Sequence, residues 1–162
     1  MSLDYQAIVA APGFALGVRC SDDEVTRIDF LEAQPERAPQ SPLAGEAVRQ
    51  LQAYLADPDF QFGLPLRPAG TTFQRRVWAQ IAAIPSGETQ SYGQLAKSIK
   101  NAPRAVGQAC GANPYPLVVP CHRVIATSGG LGGFNRHGGG FLLEVKRWLL
   151  QHENCQFAAP HN

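Results

Sequence analysis

No stretch of this 162-residue chain is apolar for long enough to span a bilayer, and the short apolar run from Ala7 follows Asp4 rather than a basic segment, so neither a membrane span nor a secretory leader is expected. Cysteine is sparse: Cys20, Cys110, Cys121 and Cys155 lie far apart, without the density of a disulfide scaffold, which points to a reducing, cytoplasmic setting. There is no C-x-x-C or H-x-x-x-H pair, the first 121 residues contain no histidine, and the adjacent Cys121 and His122 are poorly placed to bind one ion together. A zinc site is therefore not expected. The glycine-rich "SGGLGGFNRHGGG" has no G-x-G-x-x-G register after a strand, which excludes a nucleotide phosphate loop; it reads instead as a mobile wall of a pocket. Internal repeats are absent as well.

The overall charge, +1, is too small for a strongly basic nucleic-acid binder, but it is unevenly spread. Residues 1–70 hold 5 Arg against 10 Asp or Glu, and residues 71–162 hold 9 Lys or Arg against 3 Glu. A C-terminal part at +6 facing an N-terminal part at −5 suggests either that the former meets a polyanion or that the two halves attract each other.

The N-terminal part reads as short strands in "YQAIVAAPGFALGVRC" and "VTRIDFLEA", broken at Pro12-Gly13 and at the acidic turn Ser21 to Glu24. A helix follows, with Ser41 as N-cap, Pro42 at its first position, and Ala47, Val48, Leu51, Tyr54 and Leu55 facing the sheet. "PDFQFGLPLRPAG" reads as a connection, giving a boundary at 68/69 between an N-terminal α/β sheet domain and a C-terminal domain of short helices. Thr72 is expected to cap the first of these helices, with Phe73, Val77, Trp78, Ile81 and Ile84 as its apolar stripe; Ser91 caps a second, with Tyr92 in its first turn and Leu95, Ala96 and Ile99 inward. "LVV" (Leu117 to Val119) reads as a buried strand, and "EVKRWLLQHE" as a closing helix with Val145, Trp148, Leu149 and His152 on one face.

The third short helix, "PRAVGQACGANP", carries the strongest local signal. With Val106, Ala109 and Cys110 inward, its other face presents Arg104, Gly107, Gln108 and Gly111. Two glycines on an exposed face each cost about 0.5 to 1 kcal/mol relative to alanine. Close approach to a ligand surface explains them, and a helix this slim can enter even a minor groove. Arg104 is then the projecting side chain, able to fill the place of a displaced base or to reach a phosphate. Together with the helix before it, this segment fits a helix-turn-helix.

In "VVPCHRVIATSGG" a cysteine and a histidine stand side by side. A nucleophilic cysteine needs its thiolate, and a neighbouring base lowers the thiol pKa. His122 can be that base only if the backbone turns at the pair, which Pro120 favours, or if a water bridges them. The histidine needs an orienting acceptor in turn. Glu153 is the candidate, since a negative charge at a helix C-terminus is disfavoured by the dipole and implies another partner. On these residues alone an acceptor thiol, a small Cys-His-Glu hydrolase and a DNA-binding regulator with a redox-sensitive Cys121 all stay open.

Taken in order, "GTTFQRRVW", "IPSGETQSYGQLA", "RAVGQACGANP", "PCHRVI" and "KRWLLQHE" resemble the O6-alkylguanine-DNA alkyltransferases, also called methylated-DNA-protein-cysteine methyltransferases, from about Gly70 to Glu153. The resemblance implies an α+β protein: an RNase H-like N-terminal sheet domain with a packed helix (1–68), then a mainly helical, winged-helix-like domain (69–162). It implies that Cys121 is the alkyl acceptor, that His122 activates it through a water and that Glu153 orients the histidine. Asn113 is the implied hinge before the active site, and Tyr92 crowds the 3′ phosphate and donates to guanine N3. Arg104, Thr72, Gly107, Gln108 and Ala112 are implied to face DNA, and Val124, Phe134 and Asn135 to line the pocket, where backbone groups of Cys121 and Val124 read the guanine edge. The implied partner is double-stranded DNA containing O6-alkylguanine, bound by a monomer that could act cooperatively; no metal or organic cofactor is implied. Three departures stand out: a shorter turn between "SYGQLA" and "RAVG", Phe134 where many members have tyrosine, and a longer loop from Phe134 to Lys146.

Overall fold

A computed structural model describes residues 4–130 and 140–155, in two compact units that divide between Pro68 and Ala69. In the first, β1 (Ala7–Ala11), β2 (Phe14–Cys20) and β3 (Val25–Glu32) form an antiparallel meander in the order β1-β2-β3. Ala11 pairs with Phe14 across Pro12-Gly13, and Gly13 takes the left-handed φ of +84° that a two-residue hairpin turn requires. Ala7, Val9, Phe14, Leu16, Val18, Ile28 and Phe30 supply the buried side chains of the sheet.

Helix α1 (Pro42–Ala56) packs on β1 and β2, and the Ser41 hydroxyl accepts the Ala44 N–H at 3.1 Å as its cap. Its buried face is Ala44, Ala47, Gln50, Leu51 and Tyr54; Val48 and Leu55, expected inside, are only half-buried. The stripe is rotated because Gln50 is fully satisfied. Its side-chain oxygen accepts the Gly63 N–H at 2.8 Å and its amide donates to Glu46 at 2.7 Å, which removes the cost of burying it.

The second unit begins with α2 (Thr72–Ala82), whose cap is Thr71 rather than Thr72. The Thr71 hydroxyl accepts the Gln74 N–H at 3.1 Å and the Gln74 side chain accepts the Thr71 N–H at 2.9 Å. This reciprocal box needs Thr and Gln three residues apart, a spacing that only Thr71 has, so Thr72 becomes the first helical residue. Helix α3 (Tyr92–Ser98) has the same box from Ser91 and Gln94. Helix α4 (Pro103–Gly111) packs against α3 and α2 through Val106, Ala109 and Cys110, and the Trp78 indole of α2 donates to the Ala109 carbonyl at 2.8 Å.

Leu117 to Val119 is not a strand but a tight turn: Leu117 has φ +74°, and the Val119 N–H donates to the Tyr115 carbonyl at 2.9 Å. Pro114, Pro116 and Pro120 deprive the segment of the amide donors a sheet ladder needs. The strand comes after the Cys-His pair instead. Residues Gln90–Ser91 (β4) pair in parallel with Val124–Ile125 (β5), Gln90 opposite Val124.

Helix α5 (Phe141–His152) starts three residues before the Glu144 expected, so the residues from Phe141 to Lys146 counted in the longer loop belong to it. Its buried stripe is Val145, Lys146, Leu149 and Leu150, whereas Trp148 and His152, expected inside, stack on each other with ring centroids 4.7 Å apart. Among the described residues no helix is long and apolar enough to cross a membrane.

A Cβ added at Gly107 would meet nothing within 4 Å, whereas one at Gly70, which has φ +87°, would come within 2.6 Å of the Trp78 ring. Gly107→Ala should therefore stabilise the protein by about 0.5 to 1 kcal/mol, read as a higher urea midpoint at unchanged slope. Gly70→Ala should lower the same midpoint.

Candidate functional site

Cys121, His122 and Arg123 form one 3-10 turn, entered through Pro120 at φ −81°, ψ 66°. In such a turn successive side chains radiate about 120° apart, so neighbours are not sent to opposite faces as they would be on a strand. The turn is held by the Arg123 N–H donating to the Pro120 carbonyl at 2.9 Å and the Cys121 N–H donating to that of Val119 at 2.8 Å. Asn113, just beyond α4, ties the approach together. Its amide nitrogen donates to the Val119 carbonyl (2.9 Å) and to the Cys121 sulfur (3.3 Å), and its oxygen accepts the Tyr115 N–H (2.9 Å).

The Cys121 thiol is buried, and a hydrogen bond with the Cys110 side chain and desolvation hold its pKa well above the usual thiol range; Asn113 and Lys146 pull the other way. The sequence suggested a thiol already lowered toward neutrality by its histidine. The structure holds a neutral thiol, because the protein interior disfavours the charged form more than these partners favour it.

His122 is 1% exposed, and its Nε2 lies 2.8 Å from Glu153 Oε2. An ionised carboxylate can only accept, so Nε2 carries the proton and donates it, leaving Nδ1 as the bare nitrogen of the neutral ring. Nδ1 has no hydrogen-bond partner among the described residues. Burial lowers the imidazole pKa, outweighing the upward pull of Glu153, and the cations Arg123 and Lys146 add to the lowering. The ring is thus a neutral base with one nitrogen fixed and the other available.

Glu153, the cap residue at the end of α5, is held from two sides. Arg123 grips it bidentately, Nε to Oε1 at 2.8 Å and Nη2 to Oε2 at 3.0 Å, and spends its remaining Nη1 on the Ile84 carbonyl at 2.7 Å. Arg123 was missed at the sequence level; its signal is the directly following position in "PCHR" and the need of a buried carboxylate for more than one donor.

Lys146 was missed too, although a lysine between Val145 and Leu149 on a buried stripe is an available sign. It is 0% exposed, its Nζ donates to the Val124 carbonyl at 2.8 Å and lies 5.8 Å from the centre of the Tyr92 ring. Desolvation lowers its pKa to about 8, against an upward pull from Cys110 and Cys121. Burial and the same two sulfurs raise the Tyr92 pKa, so the phenol keeps its proton. Pairing of β4 with β5 sets Tyr92, the residue after Ser91, beside the segment leaving the Cys-His turn.

Hydrogen bonds thus join Cys121, Asn113, His122 and Glu153 through adjoining groups in one buried cluster. Val124 is buried beside it, with its N–H donated to the Cys121 carbonyl and its own carbonyl taken by Lys146. Thr72 on α2 and Arg104 and Gln108 on α4 are exposed, and Gly107 and Ala112 are half-buried. Phe134 and Asn135, and with them the glycine-rich wall, lie outside the described residues.

Residues 72–155 match the family described as 6-O-methylguanine DNA methyltransferase, DNA binding domain. A methylated-DNA–protein-cysteine methyltransferase of Methanosarcina acetivorans is 38% identical over 92% of this chain and 97% of its own length. One of Mycobacterium tuberculosis is 44% identical over 83% of each chain. Among solved structures, Mycobacterium tuberculosis OGT in complex with DNA is similar with a TM-score of 0.76 and 40% identity over 91% of both chains.

Removing Glu153 as Ala leaves the buried His122 and the largely covered Arg123 without their partner and should cost about 3 to 5 kcal/mol of unfolding free energy, measured in urea. The pH dependence follows from His122, whose pKa is depressed in the fold. Its contribution to stability is present above the unfolded value of about 6.5 and is lost as pH falls through the lower folded value. Urea midpoints should therefore drop on acidification below about 6.5, and His122→Asn should reduce that drop.

Proposed function

Because this chain belongs to the O6-methylguanine DNA methyltransferase family, we infer that it repairs DNA by moving an alkyl group irreversibly from guanine O6 to its own Cys121. The observation that carries the assignment of Cys121 is the buried His122 beside it, with Nε2 committed to Glu153 and Nδ1 available to take a proton. The thiol gives its proton to Nδ1 through a bridging water, and the thiolate attacks the alkyl carbon in line. The carbon–oxygen bond breaks, and the electron pair leaves with guanine, which Tyr92 stabilises by donating to N3. The thioether formed is too stable to turn over, so each molecule acts once.

Asn113 positions the sulfur and holds the turn that leads to it. Glu153, gripped by Arg123, keeps the imidazole in the tautomer the proton transfer needs. Lys146, by holding the Val124 carbonyl, fixes the backbone that lines the guanine edge. Phe134 and Asn135 complete the pocket by family likeness.

Reaching O6 requires the nucleotide to leave the stack. We assign α3 and α4 to a helix-turn-helix of winged-helix type and the first unit to an RNase H-like sheet domain. Helix α4 enters the minor groove with Arg104 taking the place of the flipped base, and Thr72, Gly107, Gln108 and Ala112 lie along the same contact. The open space at Gly107, where an alanine would fit, supports close approach by DNA as the reason for glycine. The protein acts as a monomer that can bind cooperatively along DNA, and its four free thiols fit a cytoplasmic setting. A DNA-binding regulator without transfer would have no need of the buried Asn113, His122 and Glu153 around the thiol.

Mixing the protein with an oligonucleotide containing O6-methylguanine should give a single methyl adduct on Cys121 by peptide mass spectrometry. Cys121→Ser should bind DNA but acquire no adduct; transfer by that variant would refute the assignment. Arg104→Ala should slow repair of duplex more than reaction with the free base, and equal losses would place Arg104 outside flipping. Gly107→Ala, the stabilised variant, should bind DNA more weakly, and wild-type affinity should fall with salt whatever the sequence.

A further inference from the structure

Cys110 has no part in the transfer, yet it sits against the acceptor. It occupies the last turn of α4, is buried, and is the neighbour that acts most strongly on the Cys121 thiol. Asn113 links the two positions again: its N–H donates to the Cys110 carbonyl at 3.2 Å while its side-chain amide donates to the Cys121 sulfur at 3.3 Å. Lys146 Nζ lies 5.8 Å from the centre of the Tyr92 ring, and both sulfurs act on the titration of that pair. Of the other thiols, Cys155 Sγ donates to the Glu88 carbonyl at 3.8 Å and lies 4.0 Å from Glu153 Oε1, and Cys20 belongs to the first unit.

We propose that Cys110 is a resolving thiol for Cys121, and that a hydroperoxide converts the pair into a disulfide that stores the acceptor reversibly. The Cys121 thiol yields its proton to His122, and its sulfur attacks the terminal oxygen of the peroxide. The O–O bond breaks, the leaving hydroxide takes up a proton as water, and Cys121 becomes a sulfenic acid. The Cys110 sulfur then attacks the Cys121 sulfur and expels its oxygen as a second water. Two thiols lose two hydrogens, and one molecule of hydrogen peroxide becomes two of water. The two buried sulfurs have to close to a bond of about 2.05 Å, and Gly111 and Ala112 follow Cys110 at the end of the helix, where the backbone can adjust. Without Cys110 the sulfenic acid has no neighbour to trap it and goes on to sulfinic and sulfonic acids, which thiol reductants do not reverse. A nucleophile that serves once has most to lose from that route. The value of the shield rests on the repair reading above; the disulfide itself does not.

The test uses the full chain, treated with hydrogen peroxide, blocked with iodoacetamide and digested with trypsin without reduction. Both cysteines fall on one peptide, Ala105 to Arg123, which contains no internal Lys or Arg. The expected peptide is lighter by two hydrogens and unlabelled, and takes two labels after dithiothreitol, with methyl transfer lost on oxidation and regained on reduction. In Cys110→Ala and Cys110→Ser, Cys121 should instead collect sulfinic and sulfonic acid, with transfer lost for good. Two labelled thiols after peroxide, pairing of Cys121 with Cys20 or Cys155, or equal over-oxidation in wild type and both variants would overturn the proposal. A reversible Cys110–Cys121 disulfide in a protein that never accepts methyl would support it and count against the repair reading alone.

Discussion

The buried carboxylate of Glu153 is the point on which the second unit's chemistry depends. Desolvating one carboxylate and two cationic or proton-bearing partners is costly, and the cost is offset only when every lone pair is met with good geometry. Here Arg123 supplies two parallel donors and His122 a third, at distances between 2.8 and 3.0 Å, and the Cys155 thiol lies 4.0 Å from Oε1. Through Arg123 the same group reaches the Ile84 carbonyl beyond α2, and through its own backbone it closes α5. One ion cluster therefore fixes the end of one helix, the exit of another and the turn that carries the thiol.

That grip on the carboxylate has a chemical counterpart in the unspent atoms. His122 keeps Nδ1 without a partner, and Cys121 keeps its proton, so the site at rest is a neutral acid beside a neutral base. Charge separation is deferred until an electrophile reaches the sulfur. Asn113, bonded to the sulfur, and the charge of Lys146 favour the anion once it forms, yet are outweighed by burial and by Cys110 until then. The arrangement limits idle reactivity in a protein whose nucleophile is not regenerated.

Much of the fold was legible because its local signals agree. Turn residues at Pro12-Gly13, caps at Ser41 and Ser91, and the inward stripe of α4 each follow from backbone chemistry within a few residues. Legibility failed where distant partners decide. "LVV" has the composition of a strand, but flanking prolines and the Asn113 side chain divert it into a turn. Val48 and Leu55 lose their place to Gln50 because Gly63, thirteen residues on, satisfies its amide. Of the cluster around the thiol, Cys121, His122, Asn113 and Glu153 could be named from motif order. Arg123 and Lys146 were passed over despite their signals, since a cation reads as surface until its carboxylate or carbonyl is in place.

The separation of 31 residues from His122 to Glu153 also sets an order of events during synthesis. At ribosomal speeds of roughly 5 to 20 residues per second, some 2 to 6 s separate the two. Through that interval the imidazole has neither its carboxylate nor the apolar cover of α5, and Arg123 has no counter-ion. The emerging thiol is thus accompanied by a solvated, untethered histidine, and competence arrives in one step when the final helix docks. Maturation of the reactive centre is tied to completion of the helical unit, so a partly made chain is spared from spending its single equivalent.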